Sequence, residues 1–344
     1  MQKIIKSFLI ILISINFLYV LSGAINYRFT SIDVYSIWLP KAKAIFYEKG
    51  LPLNFLKDSQ YIFSHPQYPL FLPLTFSIIY FIIGRVSENF ILLLYPLLYL
   101  LTIILAYKTI LSLTKSELFS LLFSYIYSMF SPLLAQGGRL HAGSADIIIT
   151  LIYWFLVFIL VSRKKITNPT FITIVILISI ASQIKQEGIF AAALFLFLPL
   201  NTRKKMSGIL LSLLPTILWK YFILYYHIPS SFGLNLTNLQ ILPFRLYVIF
   251  IYTLREMLNI KNWYIFWPVF WLTVYLQKEK NKLILKTIQP TLILMVVLFS
   301  AIYIFASIDT TAYISSSADR ILLQISPFFF TVFVNRLYAL LPKR

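Results

Sequence analysis

Apolar runs long enough to form membrane-crossing helices recur from one end of the chain to the other, separated by short stretches where Lys, Arg, Pro and polar residues concentrate. Inside lipid every backbone amide must find its partner within its own segment, so a run of about 20 apolar residues reads as a spanning helix. Such runs fall near 8–25, 90–107, 118–135, 147–161, 170–184, 187–200, 207–226, 262–276, 287–307 and 321–337. Several are short, which leaves their ends soft. Two further hydrophobic stretches read differently. The stretch 69–84 opens with the proline-rich HPQYPLFLP, and 241–260 is interrupted by Arg245, Arg255 and Glu256. Both are expected to lie along the outer surface or re-enter from it. The pattern predicts an all-α polytopic membrane protein with about ten spans and two outer interfacial or re-entrant helices.

Charge orients these spans. The basic clusters SRKKITN at 162–168, NTRKKM at 201–206 and KEKNKLILK at 278–286 belong in the cytoplasm by the positive-inside rule, together with Lys3, Lys6, Lys343 and Arg344. Both termini are then cytoplasmic, the plasma membrane is the expected location, and 28–68, 137–146, 228–261 and 308–320 are extracytoplasmic. MQKIIK followed by the run from Phe8 to Ile25, with no A-x-A-like site after it, reads as an uncleaved signal anchor. No internal repeat, low-complexity linker or soluble appendage interrupts the chain. Residues 1–344 are expected to form one membrane domain, with 26–68 as a first outer loop and 226–261 as a second that carries an interfacial helix.

Composition narrows the class. With 60% hydrophobic and 12% charged residues a soluble globular protein is excluded, and the lipid bilayer is the expected environment. The net charge of +19 sits in short loops between spans, where it sets topology, so nucleic acid is not the expected partner. There are no cysteines, which removes disulfides, thiolate catalysis and Cys-ligated metals. The 3 histidines, His65, His141 and His227, lack metal-site spacing. Of the 11 acids only Glu117 and Glu279 fall on the cytoplasmic side, so chemistry is expected on the outer face.

In the first outer loop Trp38, Ala42, Ile45 and Lys49 follow i, i+4, i+7 spacing, with Lys41 and Glu48 placed for the opposite side; such a helix would rest on the membrane surface. Asp33 precedes it and has two readings, a helix cap and a reactive carboxylate. Asp146 and Glu187, each at the start of an apolar run, carry the same pair of readings. Lys185, Arg139 and Arg320 fall at outer ends of spans, where they either snorkel or hold an anion. Lys220 lies six residues before His227, about 9 Å below the end of its helix, and either snorkels outward or projects into a cavity. Trp263, Trp267 and Trp271 read as an interfacial and packing stripe.

Asp33-Val-Tyr-Ser-Ile-Trp38-Leu-Pro40-Lys-Ala42-Lys, then Gly50-Leu-Pro52, then His65-Pro-Gln67-Tyr68-Pro69-Leu-Phe-Leu-Pro73, resembles the first outer loop of GT-C superfamily glycosyltransferases. Gly143-Ser-Ala145-Asp146 is similar to the second acidic motif of that superfamily, and Lys185-Gln186-Glu187-Gly188 and Ala318-Asp319-Arg320 match further patterns of it. The resemblance runs from Tyr27 to Pro327. It includes protein mannosyltransferases and aminoarabinose transferases, and it implies a GT-C-like fold and a polyprenyl-phosphate-linked sugar as donor. The acceptor would be a hydroxyl of a glycan, lipid or protein. It also implies that Asp33 is the catalytic base and that Asp146 assists it, holds the acceptor or binds a divalent cation. His65, Gln67, Arg139, His141, Lys185, Glu187, Lys220, Asp319 and Arg320 are the candidate substrate contacts. Several relatives carry paired acids where Asp33 stands between Ile32 and Val34, which leaves the metal open. A transporter or flippase of a lipid-linked sugar is the competing reading, but the acids gather at loop and span ends on one side, with no repeat and only 9 glycines. An inactive relative that only binds the carrier is a further one.

Overall fold

The computed structural model describes residues 1–26, 31–163, 165–231, 233, 236–276 and 281–340. Tyr27, Lys164, Lys278, Glu279, Lys280, Lys343 and Arg344, used above for motif or topology, lie outside them. Every element among the described residues is helical. In chain order these are α1 (Gln2–Asn26), α2 (Leu39–Glu48), α3 (Leu53–Lys57), α4 (Phe71–Ile83), α5 (Glu88–Thr114), α6 (Glu117–Ser128), α7 (Ser131–Gly138), α8 (Asp146–Ser162) and α9 (Asn168–Ile184). They continue as α10 (Leu194–Phe197), α11 (Thr202–Tyr225), α12 (Leu242–Met257), α13 (Ile260–Trp263), α14 (Phe266–Leu276), α15 (Gln289–Phe305), α16 (Thr310–Ser315) and α17 (Ala318–Leu340).

Five helices are long and apolar enough to cross a bilayer: α1, α5, α11, α17, and α15 with the π-helical turn Ile284–Ile288 that leads into it. A sixth counts if α6 and α7 are one broken span, bent by 70°. The break has a local cause: Pro132 has no N–H to continue the α6 ladder and its ring would clash with the carbonyl four residues back, and Phe130 between the two helices is extended. The other predicted runs form shorter apolar helices, and 187–200 opens as the 3-10 segment Gln186–Ala193. Helix starts are marked by side-chain caps, with Ser116, Thr167, Asn201 and Asp309 each accepting from the backbone amide three residues on.

At the centre α8 packs against α5 and α17. Helix α17 is apolar nearly all round from Ile321 to Val334 and is buried accordingly. Phe330 of this helix meets Phe130 edge-on and stacks on Phe266, and Phe130 in turn meets Trp263 edge-on. Helix α1 crosses α7 at glycines: a Cβ on Gly138 would lie 2.4 Å from the Val20 carbonyl oxygen, and one on Gly23 would lie 2.4 Å from that of Gly138. Small residues let the backbones meet where lipid offers no hydrophobic drive for association.

The first outer loop departs from expectation. Trp38, Ala42 and Ile45 are buried as the spacing predicts, but Lys49 is exposed and Lys41, assigned to the opposite side, has no exposed surface. Helix α2 packs on α4, and the 3-10 segment Ser59–Ser64 packs on the π turn that precedes α2, so both flanks are covered. Lys41 Nζ donates to the His65 carbonyl at 2.6 Å and lies over the rings of Trp38 and Tyr68 at 5.8 and 5.7 Å.

Candidate functional site

Five charged side chains from four parts of the chain meet in the alternating order Asp33, Arg320, Asp146, Lys185, Glu187. Arg320 Nη2 donates to Asp33 Oδ2, and its Nε donates to Asp146 Oδ2 at 2.7 Å. Lys185 Nζ donates to Asp146 Oδ1 at 3.0 Å and stands 3.5 Å from Glu187 Oε1. Neither cap reading holds. Asp33 and Asp146 have helical backbone or first-turn positions with no side-chain capping bond, because the helix amides lose the carboxylates to stronger charged donors.

Local structure explains each position. Asp33 immediately precedes a π-helical turn, Val34–Trp38, a feature frequent at functional sites, and that turn is pinned by buried Val34, Ile37 and Trp38. Lys185 ends α9, and the chain then folds back on it so tightly that a Cβ on Gly188 would sit 2.1 Å from the Ala181 carbonyl oxygen. Only glycine fits there, and the reversal sends Lys185 and Glu187 toward Asp146. Arg320 stands in the first turn of α17, beside the N-terminus of α8, because α8 and α17 pack along each other.

The two aspartates differ in what they are free to do. Asp146 has no exposed surface and takes four donors, since Gln324 Nε2 reaches Oδ1 and Gln136 Nε2 reaches Oδ2 at 3.4 Å. Its acceptor capacity is filled. The Asp33 side chain is 29% exposed, and among the described residues no donor reaches its Oδ1. Lys185 keeps its charge: burial opposes it, but Asp146 and Glu187 raise its pKa. Glu187 Oε2 is buried and accepts no hydrogen bond, and neither do the side-chain oxygens of Gln136 and Gln324. Among the described residues these three acceptors have no partner.

Tyr68 borders the cluster, its hydroxyl pushed well above the ordinary range by burial and then by Glu187, so it remains a neutral hydroxyl. His65 stacks on Tyr68 with ring centroids 5.2 Å apart and pairs through Nδ1 with Ser231. Burial, then the nearby Lys41 charge, lowers the His65 pKa, while Asp33 opposes this. Gln67 Nε2 donates to the same Ser231 hydroxyl at 2.8 Å, and its carbonyl accepts from Trp219 Nε1 at 2.9 Å. His65 and Gln67 therefore tie the first outer loop to the segment after α11.

The remaining predicted contacts stand apart. The Arg139 guanidinium lies 4.2 Å from the centre of the Tyr19 ring, beside Gly23. His141 and Lys220 are exposed and away from the cluster. Asp319 neighbours Arg320, with Glu256 as the foremost charge acting on it. Among the described residues no group of three or more His, Cys, Asp or Glu is placed to hold a metal ion. Sequence reasoning missed Lys41, Gln136 and Gln324; the amides sit in helices with no charge or motif to mark them. Compared with family models, with curated proteins and with solved structures, the chain matches none.

Proposed function

We propose that this chain is an integral-membrane glycosyltransferase that moves a sugar from a polyprenyl-phosphate carrier to an acceptor hydroxyl at the outer face of the plasma membrane, with inversion. One observation carries the reading: Asp33 is the most exposed carboxylate of the charge cluster, with one oxygen held by Arg320 and, among the described residues, the other open, whereas Asp146 is fully buried and fully occupied. A general base needs this arrangement, in which a fixed neighbour sets the orientation and a free lone pair faces the reacting proton. Asp33 takes the proton of the acceptor hydroxyl as its oxygen bonds to the anomeric carbon. The bond from that carbon to the phosphate oxygen breaks, and the electron pair leaves with the carrier monophosphate. Asp146 is a positioning residue, since it touches only protein donors and aims Arg320 at Asp33.

The resemblance of the Asp33, Asp146, Lys185 and Arg320 segments to GT-C enzymes supports the same reading, and so does the meeting of these four residues in space. Asp33→Asn in nanodiscs tests it. The amide keeps the size but cannot accept a proton, so the variant is expected to be monodisperse, to bind the polyprenyl-phosphate sugar, and to transfer it about 10² to 10⁴-fold more slowly. Transfer at the wild-type rate would remove Asp33 from the role of base.

A further inference from the structure

Lys41 is a buried ionisable group that the proposed chemistry leaves unused. It has no exposed surface, and among the described residues it forms no ion pair. A cation buried without a carboxylate lowers stability, so a methionine of similar volume would serve the fold better. What Lys41 touches gives it another use.

Its Nζ donates to the His65 carbonyl and stands over the rings of Trp38 and Tyr68, which lie 6.0 Å apart. Trp38 ends the π-helical turn that Asp33 precedes, and its Nε1 makes no hydrogen bond among the described residues. Packing and Lys41 therefore fix the indole. On the other side, His65 holds a left-handed backbone, φ 51°, which a residue with a side chain adopts at a cost. Its carbonyl accepts from Tyr68 N at 2.9 Å as well as from Lys41. The Tyr68 ring meets Lys41, and its hydroxyl borders the five-charge cluster. One ammonium thus joins the segment that carries Asp33 to the turn that carries Tyr68.

The charge makes this joint strong. A hydrogen bond from an ionised donor is roughly twice as strong as one from a neutral donor, and the attraction to a ring face needs a cation. Burial pushes the Lys41 ammonium down to about 7. The titratable groups on the elements packed around it are Asp33 and Tyr35 at the π turn, Asp58, Tyr61 and His65 along the 3-10 segment, Tyr68 after it, and Tyr80 on α4. On α2 itself Lys43 pairs with Glu88 at 2.9 Å, and Glu48 and Lys49 are exposed. Of the side chains that meet Lys41, His65 titrates below its ordinary range and Tyr68 well above. Near neutral pH Lys41 changes charge alone among these contacts.

We infer that Lys41 is a positioning residue for the transfer: its ammonium clamps the Asp33 segment to the Tyr68 turn, and departure of its proton opens the clamp. This rests on the proposed role of Asp33 as base.

Lys41→Met, which keeps the volume and removes the charge, tests the clamp in two ways. The first needs no substrate. Protein with 5-fluorotryptophan at all 6 tryptophans is placed in nanodiscs, and the Trp38 fluorine signal is assigned with Trp38→Phe. In wild type this signal is expected to move between pH 6 and 9 with a midpoint of about 7, and in Lys41→Met to stay at the position that wild type reaches at pH 9. The second is transfer from radiolabelled polyprenyl-phosphate mannose in native membranes, which supply the acceptor. Wild type is expected to exceed Lys41→Met in kcat about tenfold at pH 6 and by less than about twofold at pH 9, with KM unchanged. The ratio cancels every other titration common to both proteins. The thermal midpoint moves oppositely, since wild type gains stability as that ratio falls. A ratio independent of pH, or a Trp38 signal that moves equally in Lys41→Met, would overturn the clamp. If wild type does not transfer mannose, the donor in the parent reading is at fault, and the fluorine signal decides the clamp alone.

Discussion

Arg320 joins Asp33 across 287 positions of sequence, donating through Nη2 to the most exposed carboxylate of the cluster, while its Nε holds Asp146. The guanidinium fork sets the distance between the two carboxylates. An ammonium has no such fork. Arg320→Lys is therefore expected to lower kcat at least tenfold and leave the donor KM within about twofold, because Asp33 keeps its carboxylate but loses its orientation. Steady-state transfer rates over a range of donor concentrations check this; a raised KM at unchanged kcat would make Arg320 a donor contact.

Asp146→Asn removes the charge that two buried cations share and turns an NH₂ group against existing donors. Breaking a buried pair in this way costs roughly 3–5 kcal/mol. The variant is expected to lose much of its thermal midpoint in detergent and all transfer activity, whereas Asp33→Asn keeps its midpoint. Equal midpoints for the two variants would contradict the different burial of the two aspartates.

Burial lowers the Lys41 pKa to about 7, with only a carbonyl and two ring faces as compensation. In the unfolded chain Lys takes up its proton near about 10.4. Between these values the unfolded state binds more protons, so the Lys41 contribution makes stability rise with pH from about 7 toward 10 and stay at its lower level below 7. Thermal midpoints from pH 6 to 9 are expected to climb in wild type and to lie flatter in Lys41→Met. Parallel curves would show that Lys41 remains charged in the fold.

Gly188→Ala places a methyl group into the Ala181 carbonyl. Neither side of that contact is a flexible side chain, so the backbone must shift, at about 1–3 kcal/mol for overpacking. Reduced yield of monodisperse protein and a lower midpoint are expected, with transfer impaired more than stability because Lys185 and Glu187 move with the turn.

Orientation is tested by cysteine at Ser59 or Ser317, which should react with an impermeant thiol reagent in intact cells, and at Thr167, which should not. The natural chain contains no cysteine to confuse the result. Labelling at Thr167 with protection at Ser317 would invert the topology.

The apolar runs located most of the helices to within a few residues, since lipid imposes internal hydrogen bonding and leaves composition little freedom. Length was less legible. The run at 118–135 gave no sign of its 70° bend except Pro132, and several other runs form helices of 17 residues or fewer. In the site, the charged residues were visible because charge is rare in this chain. Gln136 and Gln324 were not, as an uncharged amide inside an apolar helix alters neither periodicity nor charge. Lys41 was misread because the spacing of one helix says nothing about what covers its second flank.

The bond between Asp33 and Arg320 also bears on biogenesis. Helix α17 is inserted after α8, and until it docks, Asp146 lacks its guanidinium and Asp33 its restraint. A carboxylate without a partner cannot rest in a hydrocarbon interior as an anion, so it keeps water or a proton until the cation arrives. A partly inserted chain consequently holds Asp33 in an unassembled pocket, and the chemistry proposed for it has its full set of partners only once α17 has docked.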